Sequence, residues 1–275
     1  GGVEEKVAGT HTVTFSNVAT SMTSITIVFT GSGSSNVRLD DIVLKGTKSA
    51  SAPTGIAINE TNFPDDVFRA WVANNYDIAP EGGSKDGYLD ENEVNITYIG
   101  LGADGEDLGF QNLKGIEYFT ALKWLVCQNQ QLLTSLDVSK NTELTSLICN
   151  GNKLTSLDIS KNTNLGMLIC QNNQLTSITI SSDNSALNTL DCSNNQISET
   201  EMGKIVSNLP TITSGEGTLT AFDKTVEDGN VITTSQVDEA KAKNWKVKAY
   251  IGGNQYEDYE GVEPTPETNE YYEKV

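Results

Sequence analysis

Leu144-Thr-Ser-Leu147-Ile-Cys149-Asn-Gly-Asn152-Lys-Leu154 is echoed by Leu165-Gly-Met-Leu168-Ile-Cys170-Gln-Asn-Asn173-Gln-Leu175, then by Leu187-Asn-Thr-Leu190-Asp-Cys192-Ser-Asn-Asn195-Gln-Ile197. A looser copy, Leu122-x-x-Leu125-x-Cys127, precedes them, so the four cysteines stand 22, 21 and 22 residues apart. Alternate residues of Leu-x-Cys point the same way, which is the period of a short strand. No single turn can bury the resulting apolar face, so successive turns must stack into one parallel sheet over a continuous core. Asn152, Asn173 and Asn195 turn the chain out of each strand, where their amides can satisfy backbone groups of the neighbouring turn.

The phrase matches the leucine-rich-repeat consensus, with Cys at an inner strand position and Asn at the ladder position. The first copy departs from it: Gln130 holds the Asn place and one extra residue follows, so a bulged turn is expected there. The return legs repeat as Leu133-Thr-Ser-Leu136-Asp-Val138, Leu154-Thr-Ser-Leu157-Asp-Ile159 and Leu175-Thr-Ser-Ile178-Thr-Ile180. Their apolar alternation predicts an extended convex leg, with Lys-Asn-Thr as its polar turn. Four cysteines permit disulfides or a metal site. Their shared inward position favours buried free thiols in line, with a disulfide between neighbouring turns as the alternative.

The expected fold is an α/β solenoid of 21–22-residue repeats with a parallel concave sheet and a cap at each end. Residues 63–76 predict an amphipathic helical cap, with Pro64 at its first position and Phe63, Val67, Phe68, Trp71 and Val72 on one face. Ser198-x-x-Glu201 opens a second helix that Pro210 ends. Thr218–Phe222, Ser235–Lys243 and Trp245–Tyr250 then predict a β-α-β unit that closes the sheet. Before the repeats, Thr10–Phe15, Ser24–Phe29 and Val37–Leu44 alternate like antiparallel strands around a Gly31–Ser35 turn. The division is a β segment over 1–47, a linker over 48–55, a capped repeat domain over 56–253 with repeats at about 113–198, and an acidic tail over 254–275.

Asp86-Gly87-x-Leu89, with Glu93 in the twelfth place, resembles the second half of a calcium loop. Counting back, Gly82 and Ser84 occupy the first and third places, so Asp77 serves only if residues 80–85 loop out. A vestigial helix-loop-helix cap, with Asp90 as N-cap and Glu93 closing a capping box, is the favoured reading. Calcium on Asp77, Asp86, Asp90 and Glu93 is the alternative, and no other cofactor is indicated.

Ile58-Asn-Glu-Thr-Asn-Phe63-Pro64-Asp65-Asp66-x-Phe68-Arg69, Leu113-Lys-Gly-Ile-Glu-Tyr-Phe-Thr-Ala-Leu122 and the Leu-Thr-Ser-Leu-Asp-Val phrase resemble a family of bacterial cell-surface leucine-rich-repeat proteins of gut anaerobes. The resemblance covers about residues 56–255. It implies a secreted or outer-surface location, a lipid anchor through a removed N-terminus being one form of it. Ser35-Asn-Val-Arg-Leu39-Asp-Asp-Ile42 resembles the closing strands of a jelly-roll, carbohydrate-binding-type sandwich.

Charge and chemistry narrow the function. Lys plus Arg number 18 against 37 Asp plus Glu, a net charge of −19. Nucleic acid and anionic lipid both require a basic footprint, so neither is an expected partner. No run approaches the roughly 18 apolar residues of a membrane span. Glu257, Asp258, Glu260, Glu263, Glu267, Glu270 and Glu273, interleaved with Pro264 and Pro266, predict a solvated tail. There is no nucleophile elbow or phosphate loop, and His11 is the only histidine. An enzyme is therefore not expected. A binding module using the concave face for an unknown protein or glycan is favoured over a spacer that displays a neighbouring domain. Strand alternation places Trp124, Val126, Ile148, Met167 and Ile169 outward as an apolar ladder ending at Asp191, with Ser146 and Thr189 along its border. Gln128, Asn150, Gln171 and Ser193 form its polar rim.

Overall fold

A computed structural model of the chain describes residues 11–19, 22–29, 55–78, 85–102 and 106–264. It divides into two units, Gly1–Ala50 and Ser51–Val275. In the first, β1 (His11–Ala19) pairs antiparallel with β2 (Met22–Phe29), His11 opposite Phe29 and Ser16 opposite Ser24. The third strand expected at Val37–Leu44, the Gly31–Ser35 turn and the linker up to Thr54 lie outside the described residues.

The second unit is a solenoid-like α/β stack. After a short antiparallel pair, β3 (Ile56–Ala57) with β4 (Tyr88–Leu89), the sheet begins at β5 (Tyr98–Gly100). It continues through β6 (Trp124–Val126), β7 (Ser146–Ile148), β9 (Met167–Ile169) and β11 (Thr189–Asp191), all parallel and in register. On the return side, β8 (Ser156–Asp158) pairs in parallel with β10 (Ser177–Thr179). Between the two walls runs the core. Ile99, Leu125, Leu147, Leu168 and Leu190 face it from the sheet, and Leu136, Val138, Leu157, Ile159, Ile178 and Ile180 from the return legs. Each such side chain contributes about 1.5–3 kcal/mol by leaving water.

The cysteines lie in this core, free and fully buried. Each donates its backbone N–H to the next coil, Cys127 to Ile148 O at 2.8 Å and Cys149 to Ile169 O at 2.9 Å. Two residues beyond each cysteine the backbone turns left-handed, at Asn129, Gly151, Asn172 and Asn194. Asn and Gly tolerate that conformation best, which explains why these two residue types occupy this position.

Two side-chain amide ladders bind the coils together. On the sheet side, Asn152 Nδ2 donates to Cys127 O and Cys149 O at 2.9 and 2.8 Å. Asn173 and Asn195 do the same one coil further on. Gln130 fills the equivalent place in the first coil: its Nε2 donates to Gln128 O and Glu106 O, and its Oε1 accepts from Leu108 N. The extra residue forms a turn closed by Leu133 N to Gln130 O and pushes Leu132 into solvent, which is the bulge expected there. The second ladder corrects the reading of Lys-Asn-Thr as a simple polar turn. Asn141, Asn162 and Asn184 are fully buried. Asn162 Nδ2 donates to Val138 O and Asn141 O at 3.0 and 2.9 Å, and Asn184 Nδ2 to Ile159 O and Asn162 O.

Both ends of this stack are closed. α1 (Asp66–Asn75) starts at an Asp65 N-cap, so Pro64 precedes the helix instead of opening it. Asp65 Oδ1 accepts from Phe68 N, while Oδ2 accepts from Gln111 N at 2.7 Å and Asn112 N at 3.2 Å, tying the cap to the first coil. Phe68 and Val72 are buried with Phe63 and Phe110, but Val67 is turned out. At the other end α3 (Glu199–Asn208) buries Met202, Ile205 and Val206. The crossover β12 (Gly217–Asp223), α4 (Thr234–Ala242), β13 (Trp245–Gly252) then adds two parallel strands. Asn230 prolongs the sheet-side ladder by donating to Cys192 O and Ala221 O.

The tail reading needs correction at its start. Gln255–Asp258 form β14, antiparallel to β13 and the last strand of the sheet. Glu257, Asp258 and Glu260 pair with Lys224, Lys248 and Lys241, so this acidic run is drawn back by lysines of the folded unit. Residues 265–275 lie outside the described residues.

Candidate functional site

Parallel registry places the outward side chains of the sheet in rows. Tyr98, Trp124, Ser146, Met167 and Thr189 form the first, and Gly100, Val126, Ile148, Ile169 and Asp191 the second. Trp124 is 55% exposed, Tyr98 50% and Met167 39%, while Val126, Ile148 and Ile169 are half-buried. Tyr98 escaped the sequence reading because its strand lacks the Leu-x-x-Leu-x-Cys phrase. The alternation Tyr98-Ile99-Gly100-Leu101 was the available signal. A β-carbon at Gly100 would collide with the Tyr98 hydroxyl, so this ring lies along the strand across the glycine.

Two sequence-predicted positions do not join the exposed ladder. Ser146 is buried, a small side chain between Trp124 and Met167 in one row. Asp191 is buried too, and does not end the ladder as an exposed acid. Its Oδ1 accepts from Ser193 N at 3.1 Å and Ser193 Oγ at 2.7 Å. Burial raises the Asp191 carboxyl above its ordinary range; Ser193 works against that shift, and the nearby Asp223 and Asp228 add to it. Asp228 is itself raised by burial although Asn194, Asn195, Asp223 and Asn230 all donate backbone N–H groups to it.

On the polar rim, Gln128, Asn150 and Gln171 are half-buried and Ser193 is buried. Gln171 Oε1 is covered and accepts no hydrogen bond, one of three such side-chain atoms among the described residues.

The calcium-loop residues are brought together, but around backbone N–H groups. Asp77 accepts from Asp86 N at 3.2 Å and Gly87 N at 3.1 Å. Glu93 accepts from Ile78 N at 2.6 Å and, closing the capping box of α2 (Glu91–Val94), from Asp90 N at 2.7 Å. Asp90 caps the same helix through Asn92 N and Glu93 N, and Asp86 accepts from Tyr88 N. Among the described residues no group of three or more His, Cys, Asp or Glu is placed to hold a metal.

The thiols are not poised as nucleophiles. Burial pushes Cys127 up to about 12 and raises Cys149, Cys170 and Cys192 as well. No helix among the described residues is long and apolar enough to cross a membrane.

No family model matches the chain, and neither does any curated protein. Two solved structures, both from Listeria monocytogenes, are similar to it. The functional domain of InlJ, described as including a cysteine ladder, shares 18% identity at a TM-score of 0.32, over 74% of this chain and 63% of that one. Internalin C2 shares 16% at 0.31, over 73% of this chain and all of the other. This chain thus spans less than two thirds of the InlJ domain.

Proposed function

We propose that the chain is a non-catalytic binding module of a secreted or cell-surface protein, and that the outward sheet face recognises a protein or glycan. The observation behind this reading is the exposed row of Tyr98, Trp124 and Met167 above half-buried Val126, Ile148 and Ile169. Inward Leu and Cys already fill the core, so large apolar side chains on the opposite face add little to folding and cost solubility. Such groups are the usual anchors of a recognition surface. The test is a combined protein and glycan array probed with the wild-type chain and with Ile148→Asp plus Ile169→Asp. The double variant should lose every ligand the wild type captures, at a nearly unchanged melting temperature. Capture that survives it would place recognition elsewhere. An array blank with the wild type would favour a spacer.

A further inference from the structure

We infer that the part of this face formed by β5, β6, β7 and β9 is a site for a neutral saccharide, with Tyr98 and Trp124 as stacking platform and Gln128, Asn150 and Gln171 as readers of hydroxyl groups. The assignment rests on the binding-face reading above and narrows it to one chemistry.

The platform comes first. Tyr98 and Trp124 are paired in register on adjacent strands, so their backbones lie about 4.8 Å apart. Both rings are about half exposed. Tyr98 lies along its strand with its hydroxyl end over Gly100. A pyranose presents a patch of C–H groups on one side and hydroxyls around its rim. Aromatic faces suit the first, and side-chain amides, which both donate and accept, suit the second.

Charge and size favour the same ligand class. Outward positions on these four strands carry no charged side chain, within a chain of net charge −19. A phosphorylated or uronic-acid polymer would be repelled by that surrounding field, whereas a neutral one would not. Four strands at about 4.8 Å and five residues at about 3.3 Å bound a patch of roughly 200 Å². That accommodates two or three sugar rings. Gln171 adds an independent sign. Its covered Oε1 accepts no hydrogen bond, an unmet acceptor at the edge of the patch that a ligand hydroxyl can satisfy.

The experiment is tryptophan fluorescence and calorimetric titration of the full chain. The probes are cellohexaose, xylohexaose, mannohexaose and chitohexaose, with polygalacturonate as the acidic comparison. Saturable binding of at least one neutral hexasaccharide is expected, weakened about tenfold or more in Trp124→Ala and in Tyr98→Ala at unchanged melting temperature. Gln171→Leu, which keeps the rings, should weaken it as well. Absence of binding to all four, affinity indifferent to both aromatic substitutions, or preference for polygalacturonate would overturn the inference. If the saccharides fail but Trp124→Ala loses a protein captured on the array, only the saccharide assignment falls. If Trp124→Ala loses nothing of either kind, the binding-face reading falls with it.

Discussion

Asn152 serves two coils with one side chain. Its amide nitrogen supplies Cys127 O and Cys149 O, and its oxygen accepts from Gln130 N at 2.7 Å. Asn152→Ala therefore leaves Cys127 O and Gln130 N unmatched in the interior, while Cys149 O keeps its bond from Asn173, and is expected to cost about 2–4 kcal/mol in urea unfolding. Asn152→Asp should cost nearly as much, because a carboxylate cannot donate to the two carbonyls. Asp191 gives a prediction of opposite sign. Its folded carboxyl titrates above the ordinary 3.8, chiefly through burial. Below that ordinary value both folded and unfolded states are protonated, and the burial penalty is absent. As pH rises through the folded value the penalty sets in, so this group removes stability toward neutral pH. Asp191→Asn should raise the melting temperature at pH 7 and flatten its fall between mild acid and neutrality; an unchanged pH profile would refute the assignment. The cysteines form a third case. A thiol reagent at pH 8 should find almost none in the folded chain and four after unfolding without reductant; fewer than four would reveal a disulfide.

Among the elements, the loop between α1 and α2 tests how carboxylates are used. Both oxygens of Asp77 and both of Glu93 already accept backbone N–H groups. A calcium ion would have to displace four such bonds, so millimolar calcium is expected to leave the melting temperature unchanged. A clear rise that disappears in Glu93→Ala would show instead that the loop rearranges around the ion. Elements with a periodic signal were legible in the sequence: the Cys-centred strands, the Ser198 helix and the β-α-β closure. Those missed had a reason. Asn141, Asn162 and Asn184 share the 21- and 22-residue spacing but sit among polar neighbours, Lys, Ser and Thr at the first two and Ser and Asp at the third, a composition that reads as a solvated turn. Asn230 lies 35 residues beyond Asn195, outside the period, because helix α3 and strand β12 intervene. β14 was hidden by its acidic composition, since no local pattern announces the pairing of Glu257 and Asp258 with Lys224 and Lys248, which stand earlier in the chain.

For the molecule as a whole, the excess of acid is the dominant long-range term. The exposed pairs Lys224–Glu257, Lys241–Glu260 and Lys248–Asp258 are screened by solvent and contribute little. Self-repulsion from a net charge of −19 acts over the whole chain. Screening should therefore help more than it harms: raising sodium chloride from low to physiological concentration is expected to raise the melting temperature by calorimetry. A fall would mean that the ion pairs outweigh the repulsion. Architecture was readable at this scale because one coil, repeated, dictates the stack. The face was only half readable. Alternation identified its outward positions, but Tyr98 lay before the first clear repeat, and the surroundings of Asp191 include the hydrogen-bonding Ser193 and the charges of Asp223 and Asp228, which come from further along the chain.

The hydrogen bonds between coils, from the sheet, the return legs and both asparagine ladders, run from each coil to the next. Tension applied to the two ends of the repeat stack would load these bonds one coil at a time, as in a zip, instead of all together as in a shear lap. The chain should accordingly pay out by single coils, each yielding about 70–75 Å of slack for its 21–22 residues. A tether built this way absorbs a sudden pull in small steps at modest force, and the coils that remain stacked keep their faces intact while their neighbours unspool.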